Sequence, residues 1–242
     1  MITSKEKIVE YFNSGIKEIR DFKIGIEHEK FLFNKTDNKR IDYSKVKEMF
    51  AALLEFGWKP ILEKGNIIGL SKGNKNISLE PGNQIELSGE KLNHIHEACA
   101  ESQDYLFELR QVTKKLDLKI VSAGFDPISK LNQIPNNPKQ RYSLMNQVMP
   151  LSGEQSLDMM YRTCGTQLNL DYKSEEDFIK KFKIVNSIVP ISIALFANSS
   201  IVEKKDSNYL SYRSKVWQNT SRGGLPKLFF EELNFEKYAD FI

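Results

Sequence analysis

Glu27 and Glu29 stand two residues apart in IGIEHEKF, residues 24–31, where Ile24 and Ile26 alternate with Gly25 and the two acids. In an extended strand, residues i and i+2 project from one face about 7 Å apart. Two carboxylates so placed repel unless a cation sits between them, and their oxygens suit a hard divalent ion that keeps part of its water. Taken alone, the pair reads more simply as the solvent side of a half-buried strand.

A second acidic segment, ISLEPGNQIELSG, changes that weighting. Ile77, Leu79, Ile85 and Leu87 fall on one side of a strand-turn-strand pattern, with Ser78, Glu80, Gln84, Glu86 and Ser88 on the other. If the two segments are neighbours, four glutamates share a sheet face whose reverse is core, with the oxygen chemistry of a Mg²⁺ site that holds phosphate oxygens. The segment YRTCGTQLNLDY, residues 161–172, reads as a third alternating strand with Thr163, Gly165, Gln167, Asn169 and Asp171 on its polar side. The amides of Gln167 and Asn169 suit a small polar substrate or a nucleotide, although an exposed polar face would look the same.

Seven arginines occur among 28 lysines, so Arg141, Arg162 and Arg213 attract notice as places where a planar fork is needed. Arg213 precedes Trp217 by four residues, which on a helix puts guanidinium and indole on one face. Such a pair can clamp a carboxylate, or simply pack on a surface.

No GxxxxGK[ST] loop and no GxGxxG fingerprint occurs, so neither a Walker-type nor a Rossmann nucleotide site is indicated. Of the three histidines, His28 is expected to point away from Glu27 and Glu29, and none is expected to act in a site. Cys99 and Cys164 form no CxxC pattern and read as buried small side chains. The 35 basic and 32 acidic residues give a net charge of +3, spread without a basic block. That balance argues against nucleic-acid and membrane-surface partners and for small molecules. The first residues lack the zones of a secretory signal and no apolar run is long enough to span a bilayer, so a cytoplasmic location is the default.

The elements that must position these residues follow from periodicity. Thr3 with Glu6 predicts a capped helix over 3–18, and Val46, Phe50, Leu53 and Leu54 a second over 44–56. Four short strands at 59–63, 67–71, 76–80 and 84–88, divided by Gly-Asn and Pro-Gly turns, predict an antiparallel meander. A long helix over 90–116, a buried strand in LKIVSAGF, a proline-bearing loop over 126–141 and a helix from Ser174 toward Asn198 complete the pattern. The fold class is α+β, read as one catalytic-type domain over 1–242. The tail LFFEELNFEKYADFI stays apolar to Ile242, so it is expected either to dock as a final helix or to belong to a larger fold.

In order along the chain, IGIEHEKF, ISLEPGNQIELSGEKLNHIHEACAE, GFDP with IPNNPKQRYSLM, LDMMYRTCGTQLNLDY, IALFANSS and LSYRSKVW resemble the serial motifs of the plant and proteobacterial type of glutamate-cysteine ligase. The resemblance implies a glutamine synthetase-like antiparallel sheet with flanking helices that cradles Mg²⁺-ATP. It implies γ-phosphorylation of glutamate, then capture by the amine of cysteine, as the first step of glutathione synthesis. By the same resemblance Glu27, Glu29, Glu80 and Glu86 are metal ligands, Arg141 and Arg213 hold glutamate's carboxylate and the reacting charge, and Gln167, Asn169 and Trp217 line the substrate pocket. Asn83 and Gly165 depart from the family's usual glycine and threonine. The family's chains are much longer, so the fold is expected to be incomplete here, the chain inactive alone, and Cys99 without the partner it has in the plant enzymes. A glutamate- or Mg²⁺-nucleotide-binding protein without catalysis, and a ligase for another amine, are the alternatives. Oligomeric state is not legible.

Overall fold

A computed structural model describes residues 4–220. Its elements in chain order are α1 (Lys5–Ser14), β1 (Ile24–Asn34), α2 (Tyr43–Leu53), β2 (Lys59–Glu63), β3 (Asn66–Lys72), β4 (Lys75–Leu79), β5 (Ile85–Ser88), α3 (Ile95–Lys115), β6 (Leu118–Val121), α4 (Gln140–Val148), α5 (Ser156–Arg162), β7 (Thr166–Leu170), α6 (Glu175–Phe196), β8 (Ile201–Val202), β9 (Lys205–Asp206) and α7 (Tyr212–Gln218). Helices flank an antiparallel sheet, which makes the class α+β.

The sheet runs β2-β3-β4-β5-β1-β6, with β7 also on β1. The meander forms because two-residue turns fold β3 back on β2 and β4 back on β3, while residues 80–84 return the chain from β4 to β5. Lys64 and Gly65, both at positive φ, make the first turn. Strand β1 is long enough to serve three partners: β5 pairs with Glu27–Lys30, β7 with Ile24–His28, and β6 with Phe31–Asn34. Overlap at Glu27 and His28 puts β5 and β7 on opposite edges.

Alternation sorts the side chains. Leu32, Leu70, Ile77, Leu79, Ile85 and Leu87 form one core with Val46, Met49, Phe50 and Leu53 of α2 and Tyr105, Leu109 and Val112 of α3. His28 lies on this side, its Nε2 3.1 Å from Ser102 Oγ on α3, away from Glu27 and Glu29 as expected. The opposite face carries the acids and then Phe31 and Phe33, which pack with Cys164.

Several boundaries differ from expectation, each for a tertiary reason. Residues 161–172 are not one strand. Tyr161 and Arg162 end a helix in which Arg162 bonds Asp158 at 2.9 Å across one turn, and pairing with β1 begins only at Thr166. The helix expected from Glu90 starts at Ile95, capped by the His94 side chain, because Leu92 still exchanges two backbone hydrogen bonds with Ile24. Arg141 lies not in a loop but in the first turn of α4. The first helix is capped by Ser4 and ends at Ser14. Cys99 is exposed rather than buried. Thr3 and the apolar tail lie outside the described residues.

Arg40 ties the layers together. Its guanidinium is wholly buried, bonds Asp126 at 3.1 Å and the Gly82 carbonyl, and lies 4.7 Å from the Phe31 ring centroid. The Asp126 carboxylate also accepts two backbone N–H bonds, from Ile128 and Ser129, both at 2.8 Å. Removing one partner of such a pair strands the other charge without water. Asp126→Ala is therefore expected to lower the unfolding free energy by about 3 kcal/mol, measured by urea titration, and a loss under about 1 kcal/mol would show the pair to be dispensable.

Candidate active site

Pairing register assembles the acids. Glu29 stands directly opposite Glu86, which in turn faces Ser78, while Glu27 faces Ser88 on one edge and Gln167 on the other. Glu80 follows the end of β4, where the chain turns through Asn83 at a φ of 62°. That left-handed turn is one asparagine tolerates, as expected. All four acids line one cavity of about 670 Å³, together with Arg141, Gln167, Arg213 and Trp217. Asn169 is not in its lining and reaches it through Glu27, whose Oε1 accepts from the amide at 2.9 Å.

Each acid is already hydrogen-bonded. Glu29 accepts the Gly165 N–H at 2.5 Å, Glu80 accepts Tyr142 Oη–H at 2.9 Å and Ser78 Oγ–H at 2.6 Å, and Glu86 accepts Ser88 Oγ–H at 3.3 Å. Among the described residues, no three of them gather closely enough to hold a metal ion as they stand. The electrostatic surplus remains. Burial, then the Glu86 carboxylate, pushes the Glu29 carboxyl up to about 7, against the Gly165 N–H, which favours the anion. Glu86 is also raised, by burial first and then by Glu80 and Glu27.

The opposite wall is cationic and aromatic. Arg213 and Trp217 share a face of α7, the guanidinium 5.5 Å from the indole centroid, and the Arg213 N–H donates to Ser199 Oγ at 3.1 Å. Arg213 Nε and Trp217 Nε1 are buried without a hydrogen-bond partner among the described residues. Gly165 makes room for this arrangement: a Cβ there would sit 3.2 Å from Arg213 Nη2. Arg162, by contrast, is structural. It is buried against Asp158 and Glu203, lies 4.5 Å from the Phe125 ring centroid and does not line the cavity.

Residues that pattern reading passed over hold the acid hairpin in place. Tyr142 bonds Glu80, Lys139 Nζ donates to the Leu79 carbonyl at 2.9 Å, and Asn137 Nδ2 donates to the carbonyls of Glu80 and Pro81 at 2.8 and 3.1 Å. Gln84 is buried beneath, its amide nitrogen 3.1 Å from the Tyr161 carbonyl. Asparagines among prolines signal an ordered loop, but nothing local says which hairpin the loop grips.

Comparison with known proteins gives this arrangement a family. The family model "Glutamate-cysteine ligase family 2 (GCS2)" matches residues 23–241. Glutamate-cysteine ligase A, chloroplastic, of Oryza sativa subsp. japonica is 42% identical over 98% of this chain and 49% of its own length. The chloroplastic enzymes of Nicotiana tabacum and Arabidopsis thaliana are 42% and 40% identical, each over 98% of this chain and 46% of their own length. The chain belongs to glutamate-cysteine ligase family 2, and it spans about half the length of these relatives. Their names correct the expectation of a cytoplasmic location: the relatives are chloroplastic, and compartment is set by transport signals that the composition of a folded region does not report. No helix among the described residues is long and apolar enough to cross a membrane.

The family implies ATP and a divalent metal in general. The donors are carboxylate oxygens, the chemistry a hard cation takes, and burial first, then neighbouring acids, disfavours ionisation of Glu29 and Glu86. That penalty opposes folding. A carboxyl raised in the folded state contributes stability below its unfolded pKa and loses it as pH rises through the folded value near 7. In metal-free buffer, Glu29→Gln is therefore expected to exceed the wild type in stability at pH 8 by about 1–2 kcal/mol, with the gap closing toward pH 4. Equal melting temperatures at pH 8 would show that neither burial nor the neighbouring acids penalise the Glu29 carboxylate.

Proposed function

We propose that this chain forms the acid-and-arginine wall of a Mg²⁺-dependent ligase that joins the γ-carboxylate of L-glutamate to the amine of L-cysteine, the first step of glutathione synthesis. The observation that carries the reading is a four-carboxylate wall facing Arg213 and Trp217 across one cavity, in a chain of this family. Glu27, Glu29, Glu80 and Glu86 would hold Mg²⁺. When bound, the ion neutralises charge on the phosphoryl group of ATP, the co-substrate, as that group moves to the γ-carboxylate oxygen.

The chain's own residues bind and orient. Arg213 and Arg141 offer forks to glutamate's carboxylates, and the indole of Trp217 walls the side where Arg213 lies. Gln167 lines the cavity, and Asn169 fixes the rotamer of Glu27 from outside it. Met145, Met159, Met160 and Leu168 supply apolar lining that limits water near an acyl phosphate. The amine nitrogen displaces phosphate from the acyl carbon and gives up a proton as the amide forms.

Because the chain spans about half the length of its relatives, the 242 residues alone are expected to give no γ-glutamylcysteine, and turnover by the purified chain would refute that. In a chain extended to the family's full length, Glu29→Gln is expected to lower turnover about 100-fold, equivalent to ~3 kcal/mol of barrier. Wild-type turnover in that variant would remove Glu29 from the metal site. Titration calorimetry with glutamate and Mg²⁺-ATP separates catalysis from binding alone. Ligand uptake without product from the extended chain would make this a binding protein, and product mass identifies any amine other than cysteine.

A further inference from the structure

The edge of β1 changes partner midway. Strand β7 pairs as far as His28, the Glu29 N–H still donates to the Gly165 carbonyl at 3.0 Å, and β6 takes over at Phe31. Lys30 falls in the interval. There the two strands part and leave a cavity of about 600 Å³, lined by Lys30, Ser122, Cys164, Leu168, Phe196 and Asn198 among others. Glu29, Gly165, Thr166, Leu168 and Arg213 line both this cavity and the one described above, so the two adjoin.

Lys30 is the odd member of this lining. Only 9% of it is exposed, yet among the described residues its ammonium makes no ion pair, and its one hydrogen bond goes to the Glu29 backbone carbonyl at 3.2 Å. The other two deeply buried cations, Arg40 and Arg162, each face a carboxylate, at 3.1 and 2.9 Å. A buried ammonium with two free donors and no carboxylate within ion-pair distance, the Glu29 carboxylate acting on it only from farther off, is costly unless an anion joins it.

We propose that the cleft between β6 and β7 binds the carboxylate of a small amino acid, with Lys30 as its counter-ion, and that this amino acid is the amine substrate of the ligase reaction proposed above. The rest of the lining suits such a ligand. Ser122 and Asn198 are polar members of the same lining, and Ala123, Leu168 and Phe196 give a short side chain an apolar wall. Held by its carboxylate at Lys30, the ligand directs its amine toward Glu29 and Arg213, where the two cavities meet and the activated acyl group would lie. The identification of the ligand as amine substrate rests on the ligase reading; the carboxylate site does not.

The test is equilibrium binding to the purified chain, which needs no turnover. L-2-Aminobutyrate, an amino acid without a thiol, is compared with propylamine, which lacks the carboxylate, by calorimetry or ligand-observed NMR. L-2-Aminobutyrate is expected to bind, propylamine to bind at least about tenfold more weakly, and Lys30→Met to weaken L-2-aminobutyrate by about tenfold or more while leaving L-glutamate unchanged. Lys30→Met is also expected to melt no lower than wild type, since it removes an unpaired buried charge. Failure of L-2-aminobutyrate to bind, equal binding of propylamine, unchanged binding in Lys30→Met, or a lowered melting temperature in that variant would each overturn the site. If the binding pattern holds but the extended chain makes no γ-glutamyl product, the carboxylate site stands and the ligase reading falls.

Discussion

Burial of carboxylates beside one another is the constraint to which the rest of the site answers. Glu29 and Glu86 are held opposite each other by the register of β1 and β5, and Glu80 lies on the same wall. Burial first, and the Glu86 and Glu80 carboxylates after it, drive Glu29 toward its neutral form. Neighbouring groups relieve part of the strain: the Gly165 N–H, the Tyr142 and Ser78 hydroxyls, the Asn169 amide and the Arg213 guanidinium. None of these returns Glu29 to an ordinary carboxylate: its carboxyl stays raised to about 7.

Holding like charges together requires a frame that does not relax, and the frame is built from backbone contacts. Arg40 and Asp126 lock the turn after Glu80 to the chain that precedes the 126–141 loop, while Phe31 and Phe33 pack beneath the guanidinium. Gln84 and Asn137 bond main-chain carbonyls on both sides of the acid hairpin. The same backbone order creates the cleft at Lys30, since a strand that exchanges one neighbour for another must leave a gap where neither pairs.

The legible parts of this protein were those set by short-range rules. Period-two alternation placed Glu27, Glu29, Glu80 and Glu86 on faces opposite to apolar residues, and glycine turns delimited the four meander strands to within a residue or two. The i to i+4 spacing put Arg213 and Trp217 on one helix face. Alternation failed at 161–165, where Tyr161 and Arg162 belong to a helix end stabilised by the Asp158 bridge; a helix terminus followed by a strand mimics one longer strand. It failed again at 90–94, where pairing with β1 delays the start of α3.

What the sequence by itself determined, then, is which residues share a face and which chemistry they carry, because side-chain direction depends on backbone conformation two to four residues away. Serial motifs added the family. Only the tertiary structure decided that two acidic segments some fifty residues apart are adjacent strands in a register that opposes Glu29 to Glu86. It alone showed that Tyr142 and Asn137 grip Glu80 and that Lys30 is buried without an ion pair among the described residues. These depend on which strand edges meet, and edge pairing is selected by the burial of the whole sheet against α2 and α3 rather than by any local preference.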